Sequence, residues 1–370
     1  MLAAKDPCTL CRRGLIFVVA LIREIRFRQV LRPLKTTFAT ALGRKRVMRS
    51  VLVTASTDSG AEGAGEVPTS AAFKSETIGA ICRVLKEAAG KVVGEEVDGW
   101  ASLVAGLRAY FPRARMTLSG LDTALFRAAL SERGVSEHLY WGGRAQRIET
   151  DITLPALRNS AVLAQWTDRA VRQGFTAYKL KATGKVERDL EVVALVYGLL
   201  KRTSGSFTMR IDGNQGYTRD AFLAFADALQ KSRYEIELFE QPLRKDDFDG
   251  LAYIKERSPA PIILDESVTG VQDAQRVVDN NLGDGINVKI AKSGIGESMQ
   301  IIEMARRHHM KLMAGCMIET MVGLSAAIFM ASGSGAFDFV DLDAVHFLYG
   351  RNVYPGIERE GRAFIVRSAS

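Results

Sequence analysis

From about residue 150 onward the chain alternates short β-rich runs with amphipathic helical stretches, and most of the runs carry an ionisable residue near their C-terminal end. Parallel strands joined by helices have few stable layouts, so this texture constrains the fold more than any other feature. The runs are 150–154, 176–182, 208–214, 237–242, 262–267, 285–290, 311–316 and 337–343. Eight strands at intervals of roughly 25 to 30 residues, each pair but the last cleanly separated by a helix, predict an α/β fold of the (β/α)8 TIM-barrel type. A doubly wound sheet is the alternative, but no Gly-rich phosphate fingerprint follows the first strand.

The upstream part reads differently. Residues 22–27 and 47–53 look like an antiparallel pair flanking a polar loop at 34–46, and a third strand ends at Gly63-Ala64-Gly65-Glu66. Helical periodicity then covers 76–89 and 117–133. The expected organisation is an N-terminal extension (1–19), an α+β capping domain (20–147), the barrel (148–350) and a C-terminal segment (351–370) packing back on the cap.

With 47% apolar and 25% charged residues, the 370-residue chain has the make-up of a globular enzyme with a large core. The net charge of +8 is spread along the sequence without interleaved aromatics, which argues against nucleic acid as a partner. Four scattered cysteines do not make a disulfide framework, so a cytoplasmic protein is expected. Cys8 and Cys11 form a CxxC that lacks the second half of a zinc site. Arg12-Arg13 and the apolar run after them resemble the start of a signal peptide. The run meets Arg23-Glu24-Ile25-Arg26 with no small-residue cleavage site and is too short to cross a membrane.

In a barrel, reactive residues sit at the C-terminal ends of strands, where the loops form a mouth. Those ends carry Lys179-Leu180-Lys181, Asp212-Gly213-Asn214, Glu240-Gln241-Pro242, Asp265-Glu266-Ser267 and Lys289. The steps from Lys181 to Asp212, Glu240, Asp265 and Lys289 are 31, 28, 25 and 24 residues, each one strand-helix unit long. Three carboxylates on adjacent strands cannot all stay ionised without a cation, and a hard divalent ion such as Mg²⁺ is the simplest answer. Lys181 and Lys289 flank the acidic strands, as two proton-transfer groups on opposite sides of a metal-held substrate must.

These motifs, together with Asn287-Val288-Lys289 and Asp212-Gly213-Asn214-Gln215-Gly216, resemble the enolase superfamily and its muconate-lactonizing-enzyme subgroup. The resemblance runs from about residue 20 and implies an enolase-like modified barrel with its cap. It also implies that Asp212, Glu240 and Asp265 ligate Mg²⁺ and that Lys181 and Lys289 are the acid/base pair. That Lys-plus-Mg²⁺ arrangement is a known pattern of the superfamily. A lysine accepts a proton only when neutral, so the metal and the neighbouring cation are expected to lower its pKa. Lys179 is expected to hydrogen-bond the substrate carboxylate or to tune Lys181.

Strand eight narrows the reaction. Alternation puts Asp341 and Asp343 on one face, where two carboxylates can take a substrate ammonium. The pair, with Gly315-Cys316-Met317-Ile318-Glu319-Thr320, is similar to dipeptide epimerases and implies proton transfer at the α-carbon of a dipeptide's C-terminal residue. Thr153 is placed by the same comparison near the substrate backbone, and Cys316 and Met317 near the substrate. In members acting on Ala-Glu, a cap-loop arginine reads the glutamate. The aligned position here is Ala39, beside Phe38, and Lys35, Arg44, Lys45 or Arg46 is a candidate to compensate. The alternatives are an N-acylamino-acid racemase or o-succinylbenzoate synthase, and an inactive barrel that serves as a binding protein. His308 and His309 fall at the wrong end of the barrel for chemistry, and His346 is a candidate lining residue. A small-molecule dipeptide partner, a homo-oligomer and no membrane partner complete the expectations.

Overall fold

The structure, a computed structural model, describes residues 19–157 and 159–367. Cys8 and Cys11 lie outside the described residues. An antiparallel sheet opens the chain: β1 (Ile22–Thr40), β2 (Gly43–Thr57) and β3 (Glu62–Pro68), in that spatial order. Helices α1 (Ile78–Val92), α2 (Trp100–Tyr110) and α3 (Arg115–Glu132) pack on it. Ile81, Leu85, Ala88 and Val92 recur at helical spacing on α1, and all four are buried against Val51, Val53 and Val67 of the sheet.

After the short α4 (Glu137–Tyr140) and β4 (Arg147–Glu149), the barrel begins. Its strands are β5 (Ile152–Leu154), β6 (Ala177–Lys181), β7 (Thr208–Asp212), β8 (Leu238–Glu240), β9 (Ile262–Leu264), β10 (Gly285–Val288), β11 (Lys311–Gly315) and β12 (Phe339–Asp341). They run parallel in sequence order, and the amide of Asp151 donates to the Val340 carbonyl across the remaining seam. Seven helices alternate with the strands: α5 (Ser160–Arg172), α6 (Val186–Thr203), α7 (Arg219–Lys231), α8 (Phe248–Lys255), α9 (Val271–Asp279), α10 (Ile290–Arg307) and α11 (Met321–Ser334). Inside, Leu238, Ile263, Met313 and Phe339 form a separate apolar cluster. Alternation places Glu240, two residues after Leu238, on the same inward face. A charged layer therefore lies directly above an apolar one.

Two expectations change. The stretch 34–46 is not a loop: β1 and β2 continue through it to a two-residue turn at 41–42, after a register shift between Pro33 and Phe38. Cross-strand pairing outweighs the local signal of a proline and a run of cations, because the partner strand supplies the hydrogen bonds. The last two barrel strands are also separated by a helix, α11, which is apolar on all sides because the cap, the barrel and the C-terminal hairpin enclose it. That hairpin, β13 (Ile357–Glu360) and β14 (Ala363–Val366), pairs with β4. Every barrel strand is shorter than its sequence run, since residues such as Asp265 and Lys289 leave the ladder to face the mouth. No helix among the described residues is long and apolar enough to cross a membrane.

Buried polar side chains join cap to barrel. Glu66 accepts from the amide and hydroxyl of Thr320, from the amide of Gly323 and from the Ser50 hydroxyl, capping α11 from the cap sheet. Arg127 on α3 donates to Glu137 at 2.7 Å, to the Ala64 and Val322 carbonyls and to Ser325. Asp122 accepts the Ile295 amide at 2.9 Å where α10 is broken at Gly294, whose φ of 74° leaves no room for a Cβ beside that carboxyl. Burial pushes Asp122 up to about 7, against the pull of Arg108.

Candidate active site

The strand ends and the hairpin tip enclose a cavity of about 250 Å³. Thr153, Lys179, Lys181, Asp265, Lys289, Cys316, Met317, Asp341 and Asp343 line it from the barrel, and Phe38 from the cap. Asp212 and Glu240 lie just beneath, fully buried. Ala39 is buried on the opposite face of the hairpin, where its carbonyl accepts from the Ala156 amide, so the position aligned with the arginine does not face the cavity.

The floor is a lattice of alternating charge. Lys179 donates to Glu240 at 2.9 Å and to Asp341; Lys181 donates to Asp212; Lys289 donates to Asp265 at 2.6 Å and lies 3.8 Å from Glu240. Parallel register between β7 and β8 sets Asp212 beside Glu240. Lys181 and Lys289 end β6 and follow β10, on either side of the three acidic strands. Phe38 places its ring 5.8 Å from the Lys181 ammonium.

Second contacts hold these groups in place. Asn287 donates to Glu240 at 2.7 Å, and Lys292 donates to Asp265 at 2.7 Å. Gln241 accepts the amides of Asp265 and Ser267 and donates to the Ser267 hydroxyl, tying the ends of β8 and β9 together. Its φ of 33°, with 42° at Asn214 and 64° at Gln215, marks backbone held in sparsely populated conformations just beyond Asp212 and Glu240. A Cβ on Gly315 would sit 2.8 Å from Lys289 Cε and 2.2 Å from Asn287 Oδ1, so only glycine leaves the Lys289 side chain its path. Asn287, Lys292 and Gln241 stand in or beside motifs visible in the sequence, but their partners are one or two strands away and no spacing announces them.

Under strand eight, Asp151, Asp341 and Asp343 bring carboxylate oxygens within 4.8 Å of one another. Asp151 is paired with Arg210 at 2.8 Å and Asp341 with Lys179, while Asp343 accepts the Thr153 amide at 2.6 Å, has the Cys316 thiol at 4.0 Å, and has no ion pair among the described residues. Asp343 has left the strand and sits in a turn, so the convergence with Asp341 comes from that turn and not from strand alternation. Asp151 and Arg210 escaped the sequence reading, having no motif of their own.

Electrostatics give the site a direction. The floor gathers seven carboxyl groups (Asp151, Asp212, Glu240, Asp265, Glu266, Asp341, Asp343) and five basic ones (Lys179, Lys181, Arg210, Lys289, Lys292). Where cations press closest, carboxylates stay charged: burial works against Glu240, but Lys179 and Lys289 hold it well below the usual range. Elsewhere the surplus negative charge shows. Burial, with neighbouring carboxylates, pushes Asp212 to about 6, Asp343 to about 6 and Glu266 to about 8. Lys289 is pulled both ways. Burial favours its neutral form, yet Asp265 and Glu240 outweigh burial and raise its pKa.

An all-oxygen donor set in which carboxyl groups outnumber cations fits a hard divalent cation. Asn214 Oδ1 and Glu266 Oε2 are also buried at this rim without partners. His346 does not line the cavity; its ring packs on Phe175, and burial drives it down to about 3. His308 and His309 stand at the other end of the barrel, as expected.

The fold and this floor define a class, and the comparisons agree. Residues 161–362 match the family described as enolase C-terminal domain-like. The chain is 30% identical to an L-Ala-D/L-Glu epimerase of Thermotoga maritima over 83% of this chain and 87% of that protein. It is 29% identical to an aromatic dipeptide epimerase of Herpetosiphon aurantiacus over 89% and 91%. The structure of a dipeptide epimerase from Enterococcus faecalis complexed with Mg and L-Leu-L-Tyr superposes with a TM-score of 0.87 at 26% identity, covering 95% and 98% of the two chains. The chain belongs to the enolase superfamily and, within its muconate-lactonizing-enzyme subgroup, to the dipeptide epimerase family.

Proposed function

We propose that the protein epimerises dipeptides by removing and returning the α-proton of the C-terminal residue. One observation carries the reading: two lysines flank a buried carboxylate floor while a carboxylate, Asp343, stands without a cationic partner among the described residues at the far side of the same cavity. A molecule with an ammonium at one end and a carboxylate at the other, about one dipeptide long, satisfies both ends.

Asp212, Glu240 and Asp265 would hold Mg²⁺. When bound, Mg²⁺ supplies the positive charge that stabilises the second negative charge on the substrate carboxylate and offsets the carboxylates that keep Lys289 protonated. Lys181 and Lys289 face opposite sides of the reacting carbon, so removal by one and return by the other inverts it. Lys179, beneath them, donates to the carboxylate end. Asp341 and Asp343 take the ammonium, and Thr153, whose amide orients Asp343, lies beside the peptide backbone. Cys316 and Met317 wall the cavity. Cys82 and Cys316 carry free thiols, which suits a reducing compartment such as the cytoplasm.

The test is an L,L-dipeptide library incubated with the protein and Mg²⁺ in D₂O. Deuterium at the C-terminal α-carbon and appearance of the L,D-epimer are expected. Exchange confined to N-succinyl amino acids, with every free-amine dipeptide inert, would refute the assignment.

A further inference from the structure

Resting on the dipeptide reading, we infer that Lys45 is the residue that selects the substrate, and that it selects a C-terminal residue with a carboxylate side chain. Four substituents of the reacting carbon must be placed. The carboxylate goes to the acidic strands, the amide nitrogen towards strand eight, and the proton to one lysine or the other. Lys179 and Glu240 fill the space below. The side chain has only the mouth left, and the mouth is covered by the hairpin tip.

Among the four nearby cations the geometry separates one. Lys35 is engaged away from the cavity, donating to the His346 carbonyl at 3.0 Å, and neither it nor Arg46 lines the cavity. Arg44 lines the rim but is exposed, and it pairs in register with Ala39, which does not line the cavity. Lys45 is directly opposite Phe38 across the hairpin, hence on the same face as the ring that contacts Lys181. Its ammonium has one partner, the Thr69 carbonyl at 3.4 Å, and no ion pair among the described residues. Burial depresses Lys45 to about 8 with Glu319 pulling the other way, as fits a cation whose counter-ion arrives with the ligand. Glu319 is itself pushed up to about 8 by burial and by Glu66, so it competes weakly for that role.

The experiment compares L-Ala-L-Glu with its neutral isostere L-Ala-L-Gln, and with L-Ala-L-Leu, by deuterium exchange. The wild-type kcat/KM for the Glu dipeptide is expected to exceed that for the Gln dipeptide by about tenfold or more, the usual worth of a charge-assisted hydrogen bond. In Lys45→Met the Glu:Gln ratio should fall towards one, mainly through KM, and Lys45→Arg should restore most of it. Because a ratio is read, a general loss of active protein cancels. A wild-type ratio near one, faster exchange of the Leu dipeptide than of the Glu dipeptide, or a ratio that responds to Arg44→Met but not to Lys45→Met would overturn the inference while leaving the epimerase reading intact. Failure of every dipeptide to exchange would instead remove the reading on which it rests.

Discussion

The floor of the cavity and its roof are built on opposite plans. Floor groups stand on strand ends locked by parallel register, are buried, and several, Lys179, Glu240 and Asp265 among them, have two or more charged or hydrogen-bonding neighbours. The roof is the tip of one long hairpin, half-exposed, with Phe38 and Lys45 held by few side-chain contacts. A reaction that moves a proton needs groups fixed to a fraction of an ångström, whereas reading a side chain tolerates adjustment. Chemistry and selectivity are thus placed on separate elements.

The largest effect that tests this division is in the floor. Lys289→Ala or Lys181→Ala should lower epimerisation by about 10²–10⁴-fold, measured by solvent exchange, and chelation of divalent metal with EDTA should be comparably damaging and reversible. Activity surviving in both lysine variants would break the comparison, since the floor would then not be the catalytic part. Next comes the joint between cap and barrel. Arg127→Met leaves Glu137 buried without its partner and should cost about 3–5 kcal/mol in denaturant unfolding, far more than any hairpin-tip change.

Asp343→Asn should raise KM for dipeptides by about 10- to 100-fold with a smaller loss in kcat, because it removes the unpaired charge and keeps the Thr153 hydrogen bond. A loss confined to kcat would move Asp343 from binding to chemistry. The smallest effect is on stability against pH. Asp122 keeps its proton in the folded protein up to about 7, whereas the unfolded chain releases it near the ordinary value of 3.8. Stability from this group is therefore greatest below the lower value and declines as pH rises through the window. Asp122→Asn should flatten that slope across the window, read from unfolding midpoints at several pH values.

Sequence reading reached the floor more readily than the roof, for a physical reason. Strand-helix units have nearly constant length, so Lys181, Asp212, Glu240, Asp265 and Lys289 advertise their common layer by spacing alone. Contacts between strands carry no such signature, which is why Asn287, Lys292, Asp151 and Arg210 came to light only through three-dimensional register. The hairpin tip was read as a loop because Pro33 and the cations at 44–46 mimic one locally, while the strand pairing that overrides them is distant in sequence. α11 was missed for the reverse reason, since a helix buried on every side has no polar face to mark its period.

Glu66 reaches from the cap sheet to the first turn of α11, and its hydrogen bonds have a kinetic meaning. Swinging the whole cap away would strip that helix of its cap and strand a buried carboxylate. Passage of substrate and product therefore falls to the hairpin tip and the neighbouring residues 69–72, and turnover should be sensitive to the stiffness of that short segment while remaining indifferent to linkers elsewhere in the chain.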